Sequence, residues 1–216
     1  MTGPAGFDVR FDLETLHRLG DGWPVVQDGF LGEERALACA ASVRAIATQG
    51  YLTPARIGAD KTHRPDVRGD RSAWFSELEL PPELADLWSA FEALRRVLEV
   101  QARIALPRFE LQLACYPGEG TRYALHRDTF RGDPSRRITA IYYLNPHWAP
   151  EHGGRLRCMA PGGEVRVDPH LDRLVVFLSD TLLHAVEPCW EPRFAATAWY
   201  LGPGALPAMP GVARRT

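Results

Sequence analysis

The sequence predicts a mainly β fold with N-terminal helices: a double-stranded β-helix (jelly roll) core flanked by packed α-helices. Three observations lead there. The first half of the chain carries two apolar stripes at helical spacing. From residue 106 onward, short β-branched and aromatic runs follow one another. Turn residues separate those runs at close intervals, as in a sandwich or barrel. With 216 residues the chain is long enough to bury one core, and it reads as a single domain over 1–216. Helical support is expected over about 1–105 and the jelly roll over about 106–202. A loose Gly-, Pro- and Ala-rich tail is expected over 203–216.

Residues 33–48 place Ala36, Leu37, Ala40, Val43 and Ala47 on one face, which predicts the first helix. The second starts after Pro81-Pro82, where proline suits a first helical turn. It buries a stripe of Leu84, Leu87, Trp88, Phe91, Leu94 and Leu98. Between the helices, residues 52–72 are polar and rich in Arg, Asp and Gly. A connection of that length inside a compact domain is commonly a functional lid, and a lid over 52–75 is the expectation. Strands are then expected at 109–116, 137–144, 155–159, 164–167, 174–178, 185–188 and 194–201.

Composition narrows the function. The net charge of −2 and a pI near 6.4 leave no basic stripe for nucleic acid or an anionic membrane surface. The first residues lack the charged and apolar regions of a secretory signal, and no apolar run is long enough to span a bilayer. Cys39, Cys115, Cys158 and Cys189 have no CxxC spacing, so reduced, buried thiols in a cytoplasmic protein are expected. Lys61 is the only lysine, a bias toward arginine that points to a GC-rich, bacterial genome.

Chemistry concentrates in the β half. His126-Arg-Asp128 lies at the end of the run Tyr123-Ala-Leu125, and residues two apart on a strand share a face. His184 follows the strand 174–178 and the turn Ser179-Asp180-Thr181. Two histidines and one carboxylate with open positions suit non-haem Fe(II), and zinc could take the same ligands. Arg193, nine residues after His184, tips the choice toward iron. A fixed guanidinium grips a carboxylate in bidentate fashion, so an organic acid could chelate the metal through its other end.

From Leu113 to Trp199 the chain resembles the hypoxia-inducible-factor prolyl hydroxylases and their bacterial relatives. The matching phrases are Ala114-Cys-Tyr-Pro-Gly118, His126-Arg-Asp128, Ile141-Tyr-Tyr-Leu-Asn145, Gly153-Gly154 and Asp172-Arg-Leu174. They continue with Ser179-Asp180, His184-Ala-Val186 and Arg193-Phe-Ala195 through Trp199-Tyr200, with Arg68-Gly-Asp70 and Trp74 upstream. The resemblance implies iron ligands His126, Asp128 and His184. It implies that Arg193 and Tyr143 hold the far carboxylate of 2-oxoglutarate, with Tyr116, Val186, Thr197 and Trp199 in the same pocket. Asp70 and Arg136 match a loop pair near the substrate face, where Trp74 also lies. The collagen type of the family uses lysine for the carboxylate, so Arg193 favours the hypoxia type. The stretch Thr129 to Arg137 and the short chain after Trp199 depart from the animal enzymes.

The implied activity is that of an Fe(II)- and 2-oxoglutarate-dependent dioxygenase. It would couple prolyl 4-hydroxylation of an intracellular protein to decarboxylation of 2-oxoglutarate to succinate and CO2. The cofactors and co-substrates implied are Fe(II), 2-oxoglutarate and O2, with ascorbate as a further candidate. A translation factor is the implied substrate for a bacterial member. A hydroxylase of a free amino acid or small metabolite is the alternative, because one fold hosts many substrates. A metal-binding barrel that is not an oxygenase is a third reading.

Overall fold

The computed structural model describes residues 11–56, 62–129 and 135–203. In chain order these form α1 (Leu13–Gly20), β1 (Val25–Asp28), α2 (Glu33–Thr48), β2 (Thr53–Pro54), β3 (Arg71–Phe75) and α3 (Ala85–Gln101). The β half follows as β4 (Arg108–Tyr116), β5 (Thr121–His126), β6 (Arg136–Tyr143), β7 (Leu156–Ala160) and β8 (Gly163–Val167). It ends with β9 (Arg173–Leu178), β10 (Leu183–Cys189) and β11 (Arg193–Leu201). All pairings are antiparallel, in a seven-stranded sheet of order β1-β9-β6-β11-β4-β3-β2 and a four-stranded sheet of order β5-β10-β7-β8. This is the jelly roll the sequence predicts.

Period-2 alternation divides the larger sheet into two apolar faces. Leu111, Leu113, Ile138, Ala140, Tyr142, Leu174, Val176, Ala196, Ala198 and Tyr200 pack with α2 and α3 in one cluster. Their neighbours Ile141, Tyr143, Val175, Phe177 and Ala195 face inward, into a second cluster with Leu156, Cys158 and Val167 of the smaller sheet. The strands of this sheet are therefore buried on both sides, and polar side chains on the inward face sit inside the roll. All four cysteines are free and buried. Among the described residues no helix is long and apolar enough to cross a membrane.

Three expectations need correction. First, the N-terminal part is not helical support alone. Strand β1 pairs with β9, and β3 covers the edge that β4 would otherwise expose, with β2 on its far side. Second, the segment expected to be a free lid is stitched to both sheets. Ala55 N–H donates to Asp70 O, Gly69 N–H to Arg122 O, and Ala124 N–H to Val67 O. Residues 57–61 of that segment, 130–134 of the departing stretch and 204–216 of the tail lie outside the described residues. Third, the buried face of α2 is rotated. Leu37 is 44% exposed, whereas Cys39 and Ile46 join Ala36, Ala40 and Val43 in the core.

The start of α2 is held from far along the chain. Gly32 caps it with a φ of 87° and no side chain of its own. The buried carboxylate of Asp172 accepts the N–H of Leu31 at 2.7 Å, the N–H of Gly32 at 2.9 Å and the Tyr142 hydroxyl at 2.9 Å.

Candidate active site

Strands β5 and β10 lie side by side, with His126 opposite His184 and Tyr123 opposite Val186. Two steps along β10 therefore match three along β5, an extra residue that turns both Tyr123 and His126 inward. Their rings stack with centroids 3.6 Å apart. Asp128 lies just past the end of β5, where its N–H donates to Ser179 O at 3.2 Å. The convergence of His126 and Asp128 thus comes from a strand end plus a tethered loop, not from strand alternation alone. One ligand atom from each of His126, Asp128 and His184 lies within 4.8 Å of the others. Nε2 of His126 is 3.5 Å from Asp128 Oδ1, and Nε2 of His184 is 3.8 Å from Asp128 Oδ2.

These groups are held in the forms a cation needs. Nδ1 of His126 lies 2.8 Å from Ala124 O, and Nδ1 of His184 lies 3.1 Å from Leu182 O. A carbonyl can only accept, so each Nδ1 carries the proton and each Nε2 presents its lone pair to the cluster. Burial pushes the His184 imidazole down to about 4; Asp128 opposes that shift and His126 reinforces it. For Asp128, burial works against ionisation, but His184 and His126 outweigh it and hold the carboxyl well below its usual range. A carboxylate and a neutral imidazole in a buried cluster suit a divalent metal of the non-haem iron type.

Arg193 opens β11 opposite Tyr116 and is 4% exposed. Its Nε donates to Gly154 O at 2.8 Å. Its guanidinium carbon sits 5.0 Å from the Tyr116 ring centroid and 4.9 Å from that of Tyr143. No carboxylate among the described residues pairs with it. The Tyr143 hydroxyl beside it is buried without a hydrogen-bond partner among the described residues. Burial pushes that phenol up to about 12, so it remains a neutral donor. A buried cation without a counter-ion is costly, and one flanked by an orphaned hydroxyl is a ready carboxylate site. Val186 packs with Tyr116, Cys189 and Tyr123 on the wall between this pair and the histidines. Thr197, half-buried, lies on the same inward face of β11.

Arg136 gathers the opposite end. A register shift between Tyr200 and Leu201 of β11 leaves an extra residue in β6 and turns Arg136 inward. Its guanidinium carbon lies 4.1 Å from the Trp199 ring centroid and 5.6 Å from that of Trp74. The two indoles meet at a tilt of 32° with centroids 5.2 Å apart, and Trp74 is 51% exposed. Arg136 also pairs with Glu110 at 3.2 Å and donates to Asp128 O at 3.4 Å. The Trp199 Nε1 is buried without a partner among the described residues.

Asp70 departs from expectation. It is buried and bidentate with Arg68, at 2.6 and 2.9 Å, while Arg136 goes to Glu110. Arg68 also donates to Gln112 and lies over the Tyr123 ring at 4.8 Å. The expected Asp70 and Arg136 pair is therefore replaced by an Arg68–Asp70 brace behind Tyr123. Sequence reasoning missed Arg68 and Tyr123 as parts of the site, although both stand in phrases it singled out. It also missed Thr139, which donates to Asp128 Oδ2 at 2.8 Å. A lone threonine in an apolar strand carries no signal in one sequence.

A buried facial set of two imidazoles and a carboxylate, with a cationic clamp deeper in the same jelly roll, defines the class of iron oxygenases that use an organic-acid co-substrate. The family model described as the 2OG-Fe(II) oxygenase superfamily matches residues 111–201. Human prolyl hydroxylase EGLN3 is 36% identical over 91% of this chain and 88% of its own length. A Pseudomonas putida prolyl-4-hydroxylase crystal structure superposes with TM-score 0.78 at 31% identity, covering 87% of this chain and 97% of that one. A Trichoplax adhaerens prolyl hydroxylase, in complex with a hypoxia-inducible-factor peptide fragment, superposes with TM-score 0.80 at 28% identity, covering 87% of each chain. The chain belongs to the prolyl hydroxylase family of 2OG-Fe(II) oxygenases. It is a 2-oxoglutarate-dependent dioxygenase whose cofactor is Fe(II) and whose co-substrates are 2-oxoglutarate and O2.

Proposed function

We propose that this enzyme hydroxylates carbon 4 of a proline in a protein substrate, with His126, Asp128 and His184 as the iron ligands. Arg193 and Tyr143 receive the far carboxylate of 2-oxoglutarate in a pocket walled by Tyr116, Val186 and Thr197, while Trp199 stands at the mouth beside Arg136. The iron, when bound, supplies the oxidation: O2 and 2-oxoglutarate become succinate and CO2, and one oxygen atom enters the substrate C–H bond. The chain's own residues orient the co-substrate and keep water from the reacting centre. The observation that carries the protein-substrate reading is the tilted Trp74–Trp199 ring pair, held by Arg136 beside Asp128 with Trp74 half exposed. Proline-containing segments dock on aromatic surfaces of this kind. The peptide complex of the Trichoplax relative supports the same reading.

The substrate we favour is a cytoplasmic protein of a bacterial host, with a translation factor as first candidate, and ascorbate as the reductant that sustains turnover. A single domain over 1–216 carries the activity. The test is anaerobic loading with Fe(II) and 2-oxoglutarate, then admission of O2 with and without proline-containing host proteins. Succinate release stimulated by one of them, with one added oxygen on a proline and none in Asp128→Ala, is the expected result. Stimulation by a free amino acid instead would move the assignment to a metabolite hydroxylase. Zinc retention with no succinate under any condition would sink the oxygenase reading.

A further inference from the structure

The carboxylate proposed as iron ligand has two oxygens, and the fold treats them differently. Oδ2 of Asp128 accepts the hydroxyl of Thr139 at 2.8 Å. The Thr139 oxygen lies a further 2.8 Å from the Ser179 hydroxyl. Thr139 and Ser179 are both 0% exposed, and Thr139 sits opposite Trp199 in the β6–β11 register. An ionised carboxylate only accepts, so the one Thr139 proton goes to Asp128. The proton between the two hydroxyls must then come from Ser179, and the relay runs in one direction. Ser179 fastens the same residue a second time, because its carbonyl accepts the Asp128 N–H at 3.2 Å. Oδ1, the oxygen nearer His126, accepts no hydroxyl among the described residues.

We propose that Thr139, backed by Ser179, is a positioning residue that fixes the Asp128 side chain so that Oδ1 is presented to the metal. This rests on Asp128 being a ligand. Outer-shell partners of this kind orient metal-binding groups, and their loss commonly weakens metal affinity by about 10–100-fold. The geometry is built from three separate elements: β6 for Thr139, the turn after β9 for Ser179 and the loop after β5 for Asp128. A chain of two buried hydroxyls ending on one carboxylate oxygen has no packing rationale, since valine would fill the Thr139 site with equal volume.

The test measures Mn(II) and anaerobic Fe(II) affinity, together with the thermal midpoint of the metal-free protein. Thr139→Val should lose about tenfold or more in metal affinity, and Thr139→Ser, which keeps the hydroxyl, should stay near wild type. Ser179→Ala should lose less than Thr139→Val but in the same direction. Equal affinities for Thr139→Val and wild type would overturn the proposal. So would equal losses in Thr139→Val and Thr139→Ser, which would signal packing alone. Asp128→Ala, measured alongside, separates the two readings. If it binds metal as wild type does, the ligand assignment itself is wrong. If it loses metal while Thr139→Val does not, only the positioning role fails.

Discussion

Gly154 and Arg193 are fitted to each other without slack. The Gly154 carbonyl accepts the Arg193 Nε–H at 2.8 Å, and a Cβ at Gly154 would lie 2.8 Å from Arg193 Cδ and 2.9 Å from Cys189 Sγ. The glycine also has a φ of 72°, a conformation other residues rarely adopt. Gly154→Ala should therefore push the guanidinium off its position between Tyr116 and Tyr143. A misplacement on the order of 1 Å costs roughly 100-fold at worst, so we expect KM for 2-oxoglutarate to rise about 10–100-fold. Metal affinity should change little, because the triad is held by other strands. Unaltered 2-oxoglutarate affinity in this variant would show that the clamp lies elsewhere.

Arg193→Ala should act on binding more than on chemistry. It removes charge-assisted hydrogen bonds worth about 3 kcal/mol together, or about 100-fold in co-substrate affinity. With 2-oxoglutarate saturating, kcat should recover much of its wild-type value. Arg193→Lys should recover only part of the affinity, since an ammonium cannot hold Gly154 O and a carboxylate in one plane. A fall in kcat at unchanged KM would contradict the clamp role.

These two expectations show what a single sequence discloses. His126, Asp128, His184 and Arg193 were legible because each is a chemically distinctive side chain at the end of a recognisable strand. The jelly roll was legible because its strands are short and separated by turn residues. Strand β1 was not, since four residues with Val26 43% exposed carry no clear period. The face of α2 was misread because Asp172, far along the chain, pins its start and sets its rotation. The partner of Asp70 was misassigned for a related reason. Arg68 is chosen by Gln112 and Tyr123, which reach it only after β4 and β5 are in place. Long-range contacts decided the last two misses.

Asp172→Ala should cost stability and leave the active site chemistry in place. Its carboxylate accepts two backbone N–H groups and the Tyr142 hydroxyl, all on the helix-facing side of the larger sheet. Removing it leaves two buried donors and one part-buried donor unpaired, a loss of about 3 kcal/mol. Urea unfolding should show a lower midpoint with an unchanged slope. Metal affinity of the folded fraction should stay near wild type. A midpoint equal to wild type would mean that water replaces the carboxylate at the start of α2.

His184 predicts how the metal-free protein responds to acid. Burial pushes its imidazole down to about 4, against an ordinary value of 6.5. The folded-state value is depressed, so between pH 6.5 and 4 the unfolded chain binds the proton that the folded chain refuses. Stability therefore falls as pH falls through this window. The fold carries no such penalty above pH 6.5, and the loss approaches about 3 kcal/mol near pH 4. His184→Leu removes the group, so its stability should fall less steeply than wild type between pH 6.5 and 4.5. Urea midpoints of both metal-free proteins across that range give the comparison. Parallel curves would mean that the buried imidazole accepts its proton in the folded state, and that the Nε2 lone pair is not held ready for a metal by burial.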